Sequence, residues 1–155
     1  MAQKVSKDTP LAELTLRKYE RPGDLSAREL TKKICLSLGL LQPGDSRDVI
    51  VDILHVLLTT NKPLTSKEIE HAVIDARQAA DVQMLGVAPS NIRRQVLRLR
   101  DIFLVEKIKN TYRIRENQPL VTLFEEHLEE YYLANIVDRV KEYLDKAQQD
   151  IRKQT

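Results

Sequence analysis

Ile92, Val96, Leu99 and Phe103 recur at spacings of four, three and four, the period of a helix that buries one face. The opposite face is arginine. At 100° per residue Arg94 points almost directly away from the apolar stripe, with Asn91 and Arg98 beside it and Arg93 at its edge. Immediately afterwards, Phe103 to Lys109 and Thr111 to Arg115 switch to β-branched and aromatic residues around Asn110, a residue type that tolerates the left-handed backbone of a tight turn. The pattern predicts a helix docked by one face and running into a short basic hairpin.

Charge singles out the same segment. The whole chain has a net charge of +2, yet Asn91 to Arg115 carries eight basic and two acidic residues. Acidic stretches flank it, with residues 41–90 at −3 and residues 116–155 at −4, while residues 1–40 carry +3. Such a concentration is the footprint of a surface that meets a polyanion. Elsewhere the composition excludes more than it selects. At 155 residues, 42% hydrophobic and 31% charged, the chain reads as one folded domain with appendages. No apolar run approaches the roughly 18 residues of a membrane-spanning helix. Met1 to Pro10 is polar, without the apolar stretch of a secretory signal, so a cytoplasmic location is expected. The single cysteine, Cys35, builds neither an intrachain disulfide nor a thiolate zinc site. Four glycines and no tryptophan argue against a glycine-rich dinucleotide-binding enzyme.

Upstream of the arginine helix, local signals set the element order. Met1 to Thr9 is polar and expected to fray, and Pro10, Leu11, Leu14 and Tyr19 permit a short helix ending before Arg21. Ser26 and Glu29 form a capping box for a helix from about Ala27 to Leu38, ended by Gly39. After the turn Gln42-Pro43-Gly44-Asp45, with Asp45 or Ser46 as cap, Arg47 to Thr59 is apolar around more than half its circumference and predicts the core helix. Thr65 and Glu68 cap a further helix through Ile69, Ala72 and Val73, which the alanines to Ala80 prolong before a loop containing Gly86. Ser90 is the expected cap of the arginine helix. Pro119 opens a last segment of about 35 residues in which Leu133, Val137, Val140, Leu144, Ala147 and Ile151 form a heptad stripe. Val121, Phe124, Leu128 and Tyr131 lie out of register with it, so this segment is either one helix that meets different partners along its length or a helix kinked near Tyr132.

Leu64-Thr65-Ser66-Lys67-Glu68-Ile69 resembles the start of the positioning helix of the winged helix-turn-helix superfamily. Asn91 to Leu99, followed by Leu104-Val105, resembles its recognition helix running into the wing. The resemblance covers roughly Ser46 to Arg115, and the added C-terminal helix is similar to that of dimeric archaeal and bacterial transcription regulators. It implies a mostly α-helical chain with an N-terminal helical extension (1–44), a winged-helix DNA-binding domain with a short β-hairpin wing (45–117) and a C-terminal dimerisation helix (118–155). Two departures from the superfamily pattern stand out: Phe103 replaces the glycine usual before the first wing strand, and the stretch between the second and third helices is longer than the usual tight turn.

The expected function is sequence-specific duplex DNA binding by a homodimeric transcriptional regulator. Ser90, Asn91, Arg93, Arg94 and Arg98 are the expected DNA contacts of the helix, the arginines reaching phosphates or guanine and Asn91 placed to read adenine, while Lys107, Lys109 and Arg113 of the hairpin are expected to straddle the neighbouring backbone or minor groove. Leu133, Val137, Val140, Leu144, Ala147 and Ile151 form the dimer interface. No cofactor, catalytic group or metal set is expected: His55 reads as a histidine at the edge of the core, His71 and His127 as surface residues, and Glu125, Glu126, Glu129 and Glu130 as a solvated helix face. Tyr131, Tyr132 and Tyr143 read as helix packing rather than an effector pocket. The alternative function is a winged-helix interaction module of a replication, transcription or segregation assembly, its basic face against an acidic protein. A protein partner or an effector is left open.

Overall fold

The computed structural model describes residues 7–154. The expected fraying of the N-terminus therefore lies, for residues 1–6, outside the described residues. Helix α1 spans Ala27–Ser37, with Ser26 and Glu29 making the reciprocal hydrogen bonds of the capping box. Helix α2 (Val49–Thr59) is the centre of the core: Val49, Ile50, Val51, Ile53, Leu54, Val56 and Leu57 are all buried. Helix α3 (Ser66–Ala79) opens on the Thr65–Glu68 box and buries Ile69 and Val73. Helix α4 (Pro89–Asp101) presents Ile92, Val96 and Leu99 to the core, each at most 1% exposed. Strands β1 (Val105–Ile108) and β2 (Thr111–Ile114) pair antiparallel with Val105 opposite Ile114 and Lys107 opposite Tyr112. Leu64, between α2 and α3, bridges to Tyr112 through two backbone hydrogen bonds of 2.9 and 2.7 Å, so β2 lies between β1 and a one-residue third strand.

Several elements depart from the sequence expectations in their details. No helix forms between residues 9 and 26. That segment is an extended strap whose backbone donors go to other elements: Arg17 N–H to Ser37 O at 2.9 Å, and Glu13 N–H to the Tyr132 hydroxyl at 3.1 Å. The Arg17 guanidinium donates to the Leu36 and Leu41 carbonyls at 2.8 and 3.2 Å, placing a cation at the C-terminal end of α1, where orphan carbonyls favour one. Gly39, at φ +72°, leaves room for the strap; a Cβ there would sit 2.6 Å from Thr15 Cβ. Neither Asp45 nor Ser46 caps α2. Asp48 holds the N-cap position, with its carboxylate committed to ion pairs rather than to the helix. Helix α4 starts two residues earlier than expected, with Ala88 as N-cap and Pro89 supplying the first helical φ, so Ser90 lies inside the first turn. In the hairpin turn it is Lys109, at φ +55°, and not Asn110 that takes the left-handed backbone.

The C-terminal segment runs as α5 (Leu120–Leu123), a π-helical stretch (Phe124–Leu133) and α6 (Ala134–Gln154), with helical dihedrals at Leu123, Phe124 and Ala134 across both junctions. This accounts for the change of phase between the two apolar stripes. A π-helical stretch bonds i to i+5, takes up extra residues per turn, and so rotates the second stripe relative to the first without breaking the helix. His127, expected at the surface, is half-buried because its ring stacks on Phe103.

Candidate nucleic-acid interface

The presentation of α4 rests on a buried charge cluster. Arg77, 1% exposed, donates to Asp52 and, at 3.2 Å, to Asp48, while Arg28 of α1 bonds the same two carboxylates at 3.1 to 3.3 Å. Arg77 also donates through Nε to the Gln83 carbonyl at 2.8 Å, which fixes the loop that leads from α3 into α4. Two arginines and two aspartates, fully cross-bonded, satisfy the requirement that buried charges be paired. Burial pushes the Asp48 carboxyl up, but the hydrogen bond from Arg77 and the charges of Arg28 and Arg77 outweigh it and hold the group below the usual carboxylate range. The sequence carried two signals of this cluster. Asp48 and Asp52 sit one turn apart at the head of an otherwise apolar helix, and Arg77 falls on the Ile69–Val73 stripe at the next spacing of four.

On α4 the predicted residues divide into two sets. Arg93 and Arg94 are exposed, together with Leu97 and with Arg100, a cation that the helical period alone does not single out. Asn91 and Arg98 are half-buried members of a hydrogen-bond chain. Asn91 Nδ2 donates to Gly86 O at 2.8 Å, Gln95 Nε2 to Asn91 Oδ1 at 3.1 Å, Arg98 Nη1 to Gln95 Oε1 at 2.8 Å, and Arg98 Nη2 to Gly39 O at 3.4 Å. This chain ties the helix to the preceding loop and to the turn after α1. Gly86, at φ +78°, forms the loop end that receives Asn91; a Cβ there would meet Asn91 Nδ2 at 3.0 Å. Ser90 is exposed at the start of the helix.

In the hairpin, Lys107 and Lys109 are exposed at the far end, Lys107 with its ammonium 5.8 Å from the Tyr112 ring centroid. Arg113 is engaged within the sheet, Nε to Glu106 Oε2 at 2.8 Å, as the directly opposed pair of the ladder. Glu106 Oε2 also accepts from Glu116 N–H at 2.8 Å. Burial raises the Glu106 carboxyl, and these two hydrogen bonds with the Arg113 charge bring it below its ordinary range. The fold thus displays Arg93, Arg94, Arg100, Lys107 and Lys109 to solvent and uses part of Asn91, Arg98 and Arg113 to hold the display in place.

The remaining candidates carry no visible chemistry. Cys35 is fully buried, and burial pushes its thiol up to about 12, far from a reactive thiolate at neutral pH. Among the described residues no group of three His, Cys, Asp or Glu side chains is placed to hold a metal, and no helix is long and apolar enough to cross a membrane. The C-terminal stripe stands away from the core: Val137, Val140, Leu144 and Ile151 are 39%, 52%, 64% and 59% exposed, Ala147 is exposed, and Leu133 is half-buried. No family model, curated protein or solved structure matches this chain.

Proposed function

We propose that the chain is a winged-helix protein that binds duplex DNA through α4 and the β1–β2 hairpin, as a homodimeric transcriptional regulator. The observation that carries the reading is the set of exposed cations on α4 and the hairpin, held on a helix whose opposite face is fully buried. The element order supports it: helix, one-residue strand, helix, helix, hairpin, with Leu64 bridged to Tyr112 in the place of the third strand of a winged-helix sheet. An α-helix fits the major groove, and arginine on its exposed face pairs with guanine or with phosphate. Lysines on a hairpin add backbone neutralisation, which raises affinity on any sequence. The exposed stripe of α6 supplies a seam for a second copy, whose recognition helix then meets a half-site about 10 base pairs away or a multiple of that. Selection of bound sequences from a random duplex library tests the reading. A recovered motif of palindromic form supports it, whereas recovery of no sequence above background, with the chain captured instead by an acidic protein, overturns it in favour of the interaction-module alternative.

A further inference from the structure

A cleft of about 530 Å³ separates the exposed side of α4 from the loop between α1 and α2, and its walls carry several polar and charged side chains. Arg94 and Arg98 stand on the α4 wall with Asn91 and Gln95, and Arg47 stands on the opposite wall. Four arginines elsewhere in the fold meet carboxylates: Arg28 and Arg77 with the two aspartates, Arg113 with Glu106, Arg139 with Glu142. Those of the cleft do not. Among the described residues no carboxylate pairs with the side chain of Arg47 or Arg94, and Arg98 bonds only the neutral Gln95 amide and Gly39 carbonyl. The one acid on the cleft, Asp45, turns an oxygen to the backbone N–H of Arg47 at 2.9 Å. Three guanidinium groups against one carboxylate leave a net positive recess. Arg47 stands close to the core, since helix α2 begins two residues after it.

We infer that this cleft is a phosphate clamp, in which Arg47 and the guanidinium groups of α4 hold a phosphodiester of the duplex backbone from opposite sides. The inference rests on the DNA-binding reading above and extends the interface to the loop that joins α1 to α2. Guanidinium matches phosphate in bidentate geometry and stays charged at any working pH, so the clamp contributes affinity without sequence preference.

Arg47→Gln and Asp45→Asn test it, both being exposed loop positions and the asparagine retaining an oxygen for the Arg47 N–H. Affinity for a random-sequence duplex is measured across salt concentrations, with circular dichroism melts to confirm unchanged folding. Arg47→Gln is expected to shallow the slope of log affinity against log salt by about 0.9, as the neutralisation of one fewer phosphate requires. Asp45→Asn is expected to tighten binding at low salt. A wild-type chain that leaves duplex unbound overturns both the function and the clamp. A wild type that binds, with Arg47→Gln indistinguishable from it in affinity and slope, overturns the clamp alone. Saturable binding of a free nucleoside triphosphate that Arg47→Gln abolishes, while duplex binding stays unchanged, assigns the cleft to a soluble nucleotide and also overturns the clamp.

Discussion

Phe103 and His127 stack with ring centroids 5.4 Å apart and planes 22° from parallel, joining the end of α4 to the π-helical stretch of the C-terminal helix. The Tyr132 ring meets Phe103 from its edge at 6.2 Å. Phe103 does this from a left-handed backbone, φ +65°, a conformation that favours glycine. A bulky residue there stores strain of about 1–3 kcal/mol, and aromatic pairs return about 0.5–1.5 kcal/mol each beyond their buried area. Phe103→Ala keeps the strain and removes the ring, with an expected cost of about 2 kcal/mol. Phe103→Gly also removes the ring but accepts the backbone, and is expected to cost less. Urea denaturation of both variants checks the order; a glycine variant less stable than the alanine variant contradicts it.

Arg77→Met strands two buried aspartates on Arg28 alone. Breaking a buried pair costs about 3–5 kcal/mol, and the same variant releases the Gln83 carbonyl, so faster amide exchange through residues 80–88 is expected alongside the lower stability. A stability that differs from wild type by no more than the roughly 0.5 kcal/mol scatter of surface substitutions contradicts this.

The same cluster sets the response to acid. The folded-state pKa of Asp48 is depressed, so its contribution is present in full above the unfolded value of about 3.9 and is lost as pH falls through the folded value. Asp48→Asn is expected to be less stable than wild type at neutral pH and to flatten the acid limb of stability against pH. A parallel acid limb in variant and wild type shows that other carboxylates govern it.

The features legible in the sequence were those whose cause lies within one turn of chain. Both capping boxes, Ser26–Glu29 and Thr65–Glu68, act over three residues and form in the fold. So does the Ile92–Val96–Leu99 stripe. What was hidden depends on distant partners or on competition between neighbours. Arg77 finds Asp48 and Asp52 across 29 and 25 residues, and the strap finds Tyr132 across 119. Pro89 outcompetes Ser90 for the start of α4 by fixing φ, and Lys109 rather than Asn110 takes the strained turn position. Within the candidate interface, the face of α4 was legible from its period. The internal hydrogen bonding of Asn91 and Arg98 was not, because it depends on where Gly39 and Gly86 come to rest.

Lys107→Ala with Lys109→Ala removes the two exposed hairpin charges. Weaker binding on every duplex and a salt slope shallower by up to about 2 are expected, with sequence preference retained. Loss of preference at an unchanged slope assigns base reading to the hairpin instead.

Val140→Asp with Leu144→Asp places charge in the middle of the exposed α6 stripe. Light scattering of the wild type at micromolar concentration is expected to give twice 17.9 kDa, and the double variant 17.9 kDa, with the melting of the core unchanged. A wild-type mass of 17.9 kDa rejects self-pairing through this helix.

Engagement of duplex DNA by the outward cations of α4 is tested most directly by fluorescence anisotropy of a labelled random duplex, titrated with the wild type and with Arg93→Ala/Arg94→Ala from low to physiological salt. Salt-dependent binding by the wild type is predicted, with a reduction of about 1–3 kcal/mol per arginine in a variant that melts as the wild type does. Equal affinity of the folded variant and the wild type, or no binding by either at low salt, contradicts it.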